Sequence, residues 1–283
     1  MKMPVSKTGC EILAQHLQEA YMEIFPAPGI ENKLGVLERN SYVAVTCSPS
    51  KGIGETLALT AKLVGNGFRV VPHIAARNVR DMKHLGEIMA TVADLGIESL
   101  FVPGGDRPAP IGEFRTALEL LRAIHEFDHG LHYIGVAAHP EGHPVVDDGT
   151  MQDELAQKQQ FANYMVTQMC FDASALARWL RQVRARGISM PVWIGLPGVI
   201  ERRRLLQTSL RIGVGDSLRF LRRNPRAATE MMRSAVYQPD QLVLTIAPLA
   251  ANPAYGVAGY HIFCFNQIET TEIWRYQTIR TLT

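Results

Sequence analysis

A closed barrel of eight parallel strands ringed by helices, the (β/α)8 or TIM barrel of the α/β class, is the fold this sequence predicts. Three observations point to it. Eight short apolar runs, each bounded by turn residues, recur along the chain. They are apolar on both faces and alternate with segments of helical spacing, the pattern of a parallel sheet covered by helices. The length of 283 residues suits eight such repeats in a closed barrel better than an open sheet, since a barrel of this kind takes about 250 residues.

The runs come in order. The first four are "YMEIFP" (Tyr21 to Pro26), "YVAVTCS" (Tyr42 to Ser48), "FRVVPHIAA" (Phe68 to Ala76) and "SLFVPGG" (Ser99 to Gly105). The next four are "LHYIGVAA" (Leu131 to Ala138), "YMVTQMC" (Tyr164 to Cys170), "PVWIGLPG" (Pro191 to Gly198) and "YHIFCFN" (Tyr260 to Asn266). Helices are expected over Gly54 to Gly67, Asp81 to Gly96 and Ala173 to Gly187, each closed by a glycine suited to a C-terminal cap. Between runs seven and eight the pattern is irregular: a helix, an "NPRA" break, a second helix from about Ala227 to Val236, and an extra apolar run "QLVLTIAPLA" (Gln241 to Ala250). That run competes for the place of the eighth strand, which is assigned to Tyr260 to Asn266. With no linker and no low-complexity stretch, one domain over residues 1–283 is expected.

Composition narrows the function classes. The 29 basic and 27 acidic residues leave a net charge of +2, too balanced for a surface that binds nucleic acid. The basic stretches "ERRRLL" (Glu201 to Leu206) and "RFLRRNPRA" (Arg219 to Ala227) read as solvated helix faces, with phosphate contact as the alternative. No apolar run reaches the length of a membrane span, and the N-terminus carries no signal-peptide pattern, so a cytoplasmic protein that does not engage a membrane is expected. A homo-oligomer is compatible with all of this. Cys10, Cys47, Cys170 and Cys264 show no CxxC spacing and are read as small core residues rather than metal ligands.

The chemistry of such a barrel belongs at the C-terminal ends of its strands. Those ends offer Glu23, Thr46, His73, Asp106, the "HPEGHP" loop, Gln168 and Asn266. Glu23 sits in an apolar strand, so it is either a functional acid or one half of a buried ion pair. His73 is a site residue or a neutral core histidine. Asp106 follows two glycines that allow close backbone approach to a ligand, or it caps the next turn. Gln168 carries an amide suited to a heterocycle edge, or is a satisfied buried glutamine. His139 and His143 are four apart, but Pro140 and Pro144 oppose the helix that would aim both rings at one metal. A binding loop for an extended ligand is the better reading, and no metal site is expected.

Taken together, "MEIFP", "VTCS", "PHIAAR", "PGGDRP", "GVAAHPEGHP", "VTQMCFD" and "HIFCFNQ", in this order and one per strand, resemble the methylenetetrahydrofolate reductase family over about residues 20 to 267. The chain looks like that family's catalytic barrel alone. The resemblance implies reduction of 5,10-methylenetetrahydrofolate to 5-methyltetrahydrofolate, with FAD carrying hydride from NAD(P)H. It implies that Glu23 is the general acid for opening the folate's five-membered ring, that Asp106 lies beside flavin and pterin, and that Gln168 and Phe171 contact the folate. Thr46, His73, Gly104, Gly105, Asp106, His139, His143, Asp153 and Lys158 fall at the family's cofactor contacts. Three departures all lie on the flavin side. Gly104 stands where many members have the arginine of an Arg-Gly-Asp motif, His139 where a tyrosine is common, and the segment from Asp153 to Gln168 is short. A deazaflavin, or NAD(P)H without a tightly bound flavin, therefore stands beside FAD. Two competing readings are a folate barrel that transfers a one-carbon or methyl group without net reduction, and a non-catalytic folate-binding subunit.

Overall fold

The structure, a computed structural model, describes residues 7–48, 51–143, 146–211 and 235–283. Eight strands form the main sheet: β1 (Tyr21–Ile24), β2 (Tyr42–Val45), β3 (Arg69–Pro72), β4 (Ser99–Val102), β5 (Tyr133–Ala138), β6 (Tyr164–Thr167), β7 (Val192–Pro197) and β8 (Val257–Phe263). They run in the order β3-β2-β1-β8-β7-β6-β5-β4 in one sheet, every pairing parallel. The two ends meet through a parallel bridge between His73 and Phe101, continued by Ile74 N–H to Phe101 O at 2.9 Å and Ala76 N–H to Pro103 O at 3.0 Å. The sheet is therefore a (β/α)8 barrel, and each of the eight apolar runs supplies one strand.

The helices among the described residues are α1 (Lys7–Gln18), α2 (Gly52–Gly65), α3 (Met82–Asp94), α4 (Ala117–Ile124), α5 (Asp148–Lys158), α6 (Ala173–Ala185), α7 (Arg202–Arg211), α8 (Asp240–Ala250) and α9 (Ile268–Leu282). A 3-10 turn over Ile30–Val36 replaces the helix between β1 and β2. Local chemistry explains the boundaries. Asp81 accepts the His84 N–H at the start of α3, and Thr116 and Glu119 form a reciprocal capping box on α4. After α2 and α3 the chain turns through Gly67 (φ 84°) and Gly96 (φ 63°), a left-handed conformation that costs a glycine little. None of the described helices is long and apolar enough to cross a membrane.

Strand alternation sorts the side chains into two packed layers. Met22, Ile24, Val43, Val45, Leu100, Val102 and Val136 face the helices in the main core. Val71, Phe101, Tyr164 and Val166 form a separate cluster inside the barrel, with Tyr21, Ala137 and Trp193 against it. Two rings are accommodated because the neighbouring strand lacks a side chain. A Cβ on Gly135 would lie 2.2 Å from the Tyr164 ring, and one on Gly259 2.3 Å from Trp193. This interior is a plug of side chains, which leaves the C-terminal mouth as the place for polar chemistry.

The irregular stretch departs from the sequence reading in two ways. Gln241 to Ala250 lies in helix α8, so the run assigned as the closing strand keeps that role, although β8 begins three residues earlier at Val257. The helix expected from Ala227 falls largely outside the described residues, as does "RFLRRNPRA". Its last residue, Val236, instead pairs with Glu201 in a short antiparallel ladder that also joins Ile200 to Tyr237. "ERRRLL" does begin a helix, with Leu205 buried and Arg203 and Arg204 exposed. Cys170 and Cys264 are buried, while Cys10 and Cys47 are half-buried.

Candidate functional site

Glu23 is the third residue of β1, and because Met22 and Ile24 pack outward its side chain points into the barrel mouth. Beside it runs β8, in register Tyr21 to His261 and Glu23 to Phe263. Nε2 of His261 lies 2.8 Å from Oε2 of Glu23, and Nε2 of His73, just past β3, lies 4.0 Å from the same oxygen. The three side chains are 16% (Glu23), 4% (His261) and 7% (His73) exposed. Burial, followed by the nearby His261, pushes the His73 imidazole well below its ordinary range, so it stays neutral. Its Nε2 is buried without a hydrogen-bond partner. Among the described residues, this trio alone has ligand atoms close enough to share a cation, all within 4.8 Å of one another.

The seam between β1 and β8 is fastened just above this group. The Cys264 thiol donates to the Glu23 carbonyl at 2.8 Å. The Asn266 side chain both accepts from the Phe25 N–H and donates to the Phe25 carbonyl, at 3.0 Å each. Asn266 thus imitates one more rung of the ladder, a structural role for a residue that strand-end position alone marks as a site candidate.

The opposite side of the mouth is carried by loops. Thr46 extends the β1–β2 ladder through its N–H to Ile24 O at 2.9 Å. Cys47 Sγ accepts from Asn78, and Asn78 in turn accepts from Arg107 Nε. Arg77 donates to the carbonyls of Arg107 (2.7 Å) and Arg115 (3.1 Å). The loop bearing Gly104, Gly105 and Asp106 is therefore pinned by Arg77 and Asn78, neither of which stood out in the sequence. Gly105 has φ 95°, and a Cβ there would sit 3.0 Å from the Cβ of Ala75. Its lack of a side chain answers to a close approach within the protein, whereas Gly104 borders open space.

Asp106 is exposed. His143 is lowered chiefly by burial, with Asp106 acting to raise it and Arg77 to lower it, which places all three groups within electrostatic reach. The His139 and His143 rings stand edge to face, 5.2 Å apart. Burial, His143 and Lys158 push His139 down to about 4, so it is a neutral hydrogen-bonding group at physiological pH. Gln168 continues the β5–β6 ladder through its N–H to Ala138 O at 2.7 Å, and its side-chain oxygen accepts from the Met169 N–H at 2.9 Å. Cys170 donates to Glu141 at 3.2 Å, tying the "HPEGHP" loop to the segment after β6. Phe171 is buried, edge-on to Tyr237 with centroids 6.0 Å apart.

Glu23, Thr46, His73, Gly104, Gly105, Asp106, His139, His143 and Gln168 all leave the C-terminal ends of parallel strands and so share one mouth. Asp153 is not brought there: its carboxylate is 70% exposed and paired with Arg186. Lys158 reaches toward His139 electrostatically, but its amine is held by Glu154 at 2.9 Å. His261 is the residue that sequence reasoning passed over. Its signal was parity, since in "GYHIF" the histidine takes an inward-facing position two residues past Gly259.

Fold and mouth together define a TIM-barrel protein with a polar site at the strand ends. The chain belongs to the methylenetetrahydrofolate reductase family, whose profile matches residues 32–209. It is 26% identical over 146 residues to "Methylenetetrahydrofolate reductase 2" of Saccharomyces cerevisiae, covering 47% of this chain and 24% of that protein. It is 30% identical over 127 residues to "Probable methylenetetrahydrofolate reductase (NADPH)" of Caenorhabditis elegans, covering 42% and 18%. It is 26% identical over 206 residues to "Methylenetetrahydrofolate reductase (NADH) 1" of Arabidopsis thaliana, covering 63% and 34%. The chain thus matches about a third or less of each relative's length. The family match includes Asp106 and Gln168 but neither Glu23 nor His261, so their pairing comes from the geometry of the barrel seam.

Proposed function

We propose that this barrel reduces the methylene bridge of 5,10-methylenetetrahydrofolate to the methyl group of 5-methyltetrahydrofolate. The observation that carries the reading is Glu23, a carboxyl inside the mouth of an otherwise apolar barrel, partnered by an imidazole at 2.8 Å. Opening the folate's five-membered ring requires a proton on the departing nitrogen, and a partly buried carboxyl held in one geometry can supply it. Gln168, whose amide nitrogen has no bond within the described protein, offers a donor to the pterin edge. Asp106 and Phe171 complete the folate side.

The donor side comprises Thr46, His73, Gly104, His139 and His143, around the open space beside Gly104. A reduced nicotinamide or (deaza)flavin ring bound there supplies the two electrons as hydride, and the protein supplies alignment and exclusion of water. Two residues at the family's flavin contacts are engaged elsewhere, Asp153 by Arg186 and Lys158 by Glu154. These residues do not fit a tightly held FAD, and we read the donor as dissociable.

The test is anaerobic turnover with methylenetetrahydrofolate and, separately, NADH, NADPH, reduced flavin and reduced deazaflavin, with the methyl product quantified. Product with at least one donor is expected. Methyl transfer without donor oxidation, or folate binding with no turnover, overturns the proposal. The visible spectrum of desalted protein is expected to lack a flavin band, and a stoichiometric band would refute the dissociable donor.

A further inference from the structure

We propose that His261 reloads Glu23 with a proton in each turnover, acting as a positioning and relay residue behind the acid. This rests on the reduction proposed above and adds the group that restores its acid to working form.

Among the described residues, His261 is the titratable side chain within hydrogen-bond distance of the Glu23 carboxyl. Its Nε2 lies 2.8 Å from Oε2, and with a proton on Nε2 the imidazole donates to the carboxylate. His73 Nε2, at 4.0 Å, is too far for a hydrogen bond, and its burial keeps it neutral. The other titratable groups against the pair are Tyr21, stacked on His261 at 6.1 Å, and Cys264, bonded to the Glu23 carbonyl. Burial raises both, Tyr21 far above its ordinary range and Cys264 to about 12, so neither releases a proton near neutrality. Imidazole is the side chain whose charge ordinarily changes between pH 5 and 8. With a neutral His73 on the far side, the 2.8 Å contact between Glu23 and His261 is the path of the proposed relay.

The step balances. The bond between the bridging carbon and N10 breaks, its electron pair stays on N10, and N10 takes the proton of the Glu23 carboxyl. The carboxylate takes a proton from His261, and the imidazole regains one from water. The resulting iminium carbon accepts hydride from the reduced nicotinamide or (deaza)flavin donor, which is oxidised by two electrons.

The experiment compares wild type with His261→Gln, which keeps an N–H toward Glu23 but carries no titrating proton. We expect kcat to fall about 100-fold, the lower end of the usual contribution of a proton-transfer group. The folate KM should change less than about threefold. The pH dependence of kcat should lose one limb, and the solvent deuterium effect on kcat should grow. An unchanged pH profile and kcat would overturn the proposal. So would wild-type activity that a chelator abolishes and Zn2+ restores, because the trio would then be a metal site. An independent readout on unliganded wild type follows the His261 imidazole by 15N NMR and the Glu23 carboxyl by infrared difference spectroscopy across pH. Linked titration that Glu23→Gln uncouples is expected, and independent titration overturns the relay even if no donor supports turnover. Linked titration without turnover would instead count against the reduction itself.

Discussion

On the β1–β8 side of the mouth, Glu23 and His261 project from strands and His73 from the first residue past one, all three largely buried. On the β4–β5 side, Asp106, His139 and His143 sit on loops, and both Asp106 and His143 are exposed. The first side is fixed by ladder hydrogen bonds and a packed interior. The second is held by a few side-chain ties from Arg77, Asn78 and Glu141. Strand-borne groups keep the sub-ångström geometry that proton transfer needs, and loop-borne groups adapt to a ligand that comes and goes. In the proposed reaction the acid Glu23 belongs to the rigid side, while His139 and His143, which are proposed to meet the donor, belong to the adjustable one.

The contrast breaks most sharply at the acid. Glu23→Gln should lower methylenetetrahydrofolate reduction by about 100-fold or more, while oxidation of the hydride donor by an artificial acceptor survives. Retained folate reduction would remove the acid role from the rigid side. Next is the packing that makes that side rigid. Gly259→Ala places a Cβ 2.3 Å from Trp193, and overpacking of this kind costs about 1–3 kcal/mol, readable as a drop in Tm. An unchanged Tm would show that the seam is softer than described.

On the loop side, His143→Ala should weaken donor binding several-fold and folate binding much less, measured by separate titrations. Equal effects on both would erase the division of labour. Acid stability sharpens the comparison further. His139 titrates near 4 when folded and near 6.5 as an ordinary histidine. Between these values the unfolded chain binds more protons, so stability should be fully present above about pH 6.5 and fall as pH drops toward 4. His139→Gln should flatten that decline, with His73 contributing in the same direction. The smallest effect is expected for Asp153→Ala, which breaks an exposed ion pair and should leave donor affinity unchanged. A marked loss would return Asp153 to the cofactor side.

The fold was legible because a barrel strand is apolar on both faces, and that pattern survives in all eight runs. Gln241 to Ala250 was ambiguous because a helix buried on several sides has the same composition. Its spacing of buried residues, Leu242, Val243, Ile246, Ala247 and Ala250, is nonetheless helical. The start of β8 was hidden because Gly256 and Gly259 interrupt the apolar run, although Gly259 makes room for a ring on the next strand. Glu23 was visible as a charge among apolar residues. Its partner was not, because the His261 contact spans 238 residues of sequence and only barrel closure creates it. Arg77 and Asn78 were invisible for a similar reason, as their ties run to a neighbouring loop.

The Asn266 clasp over the β1–β8 seam bears on how the barrel closes as well as on its finished form. The carboxyl belongs to the first strand of the barrel and its imidazole companion to the last, 238 residues further along the chain. A chain ending before Val257 would hold the carboxyl without the imidazole and no closed wall behind it. The pair is thereby assembled only when the last strand closes the barrel against the first.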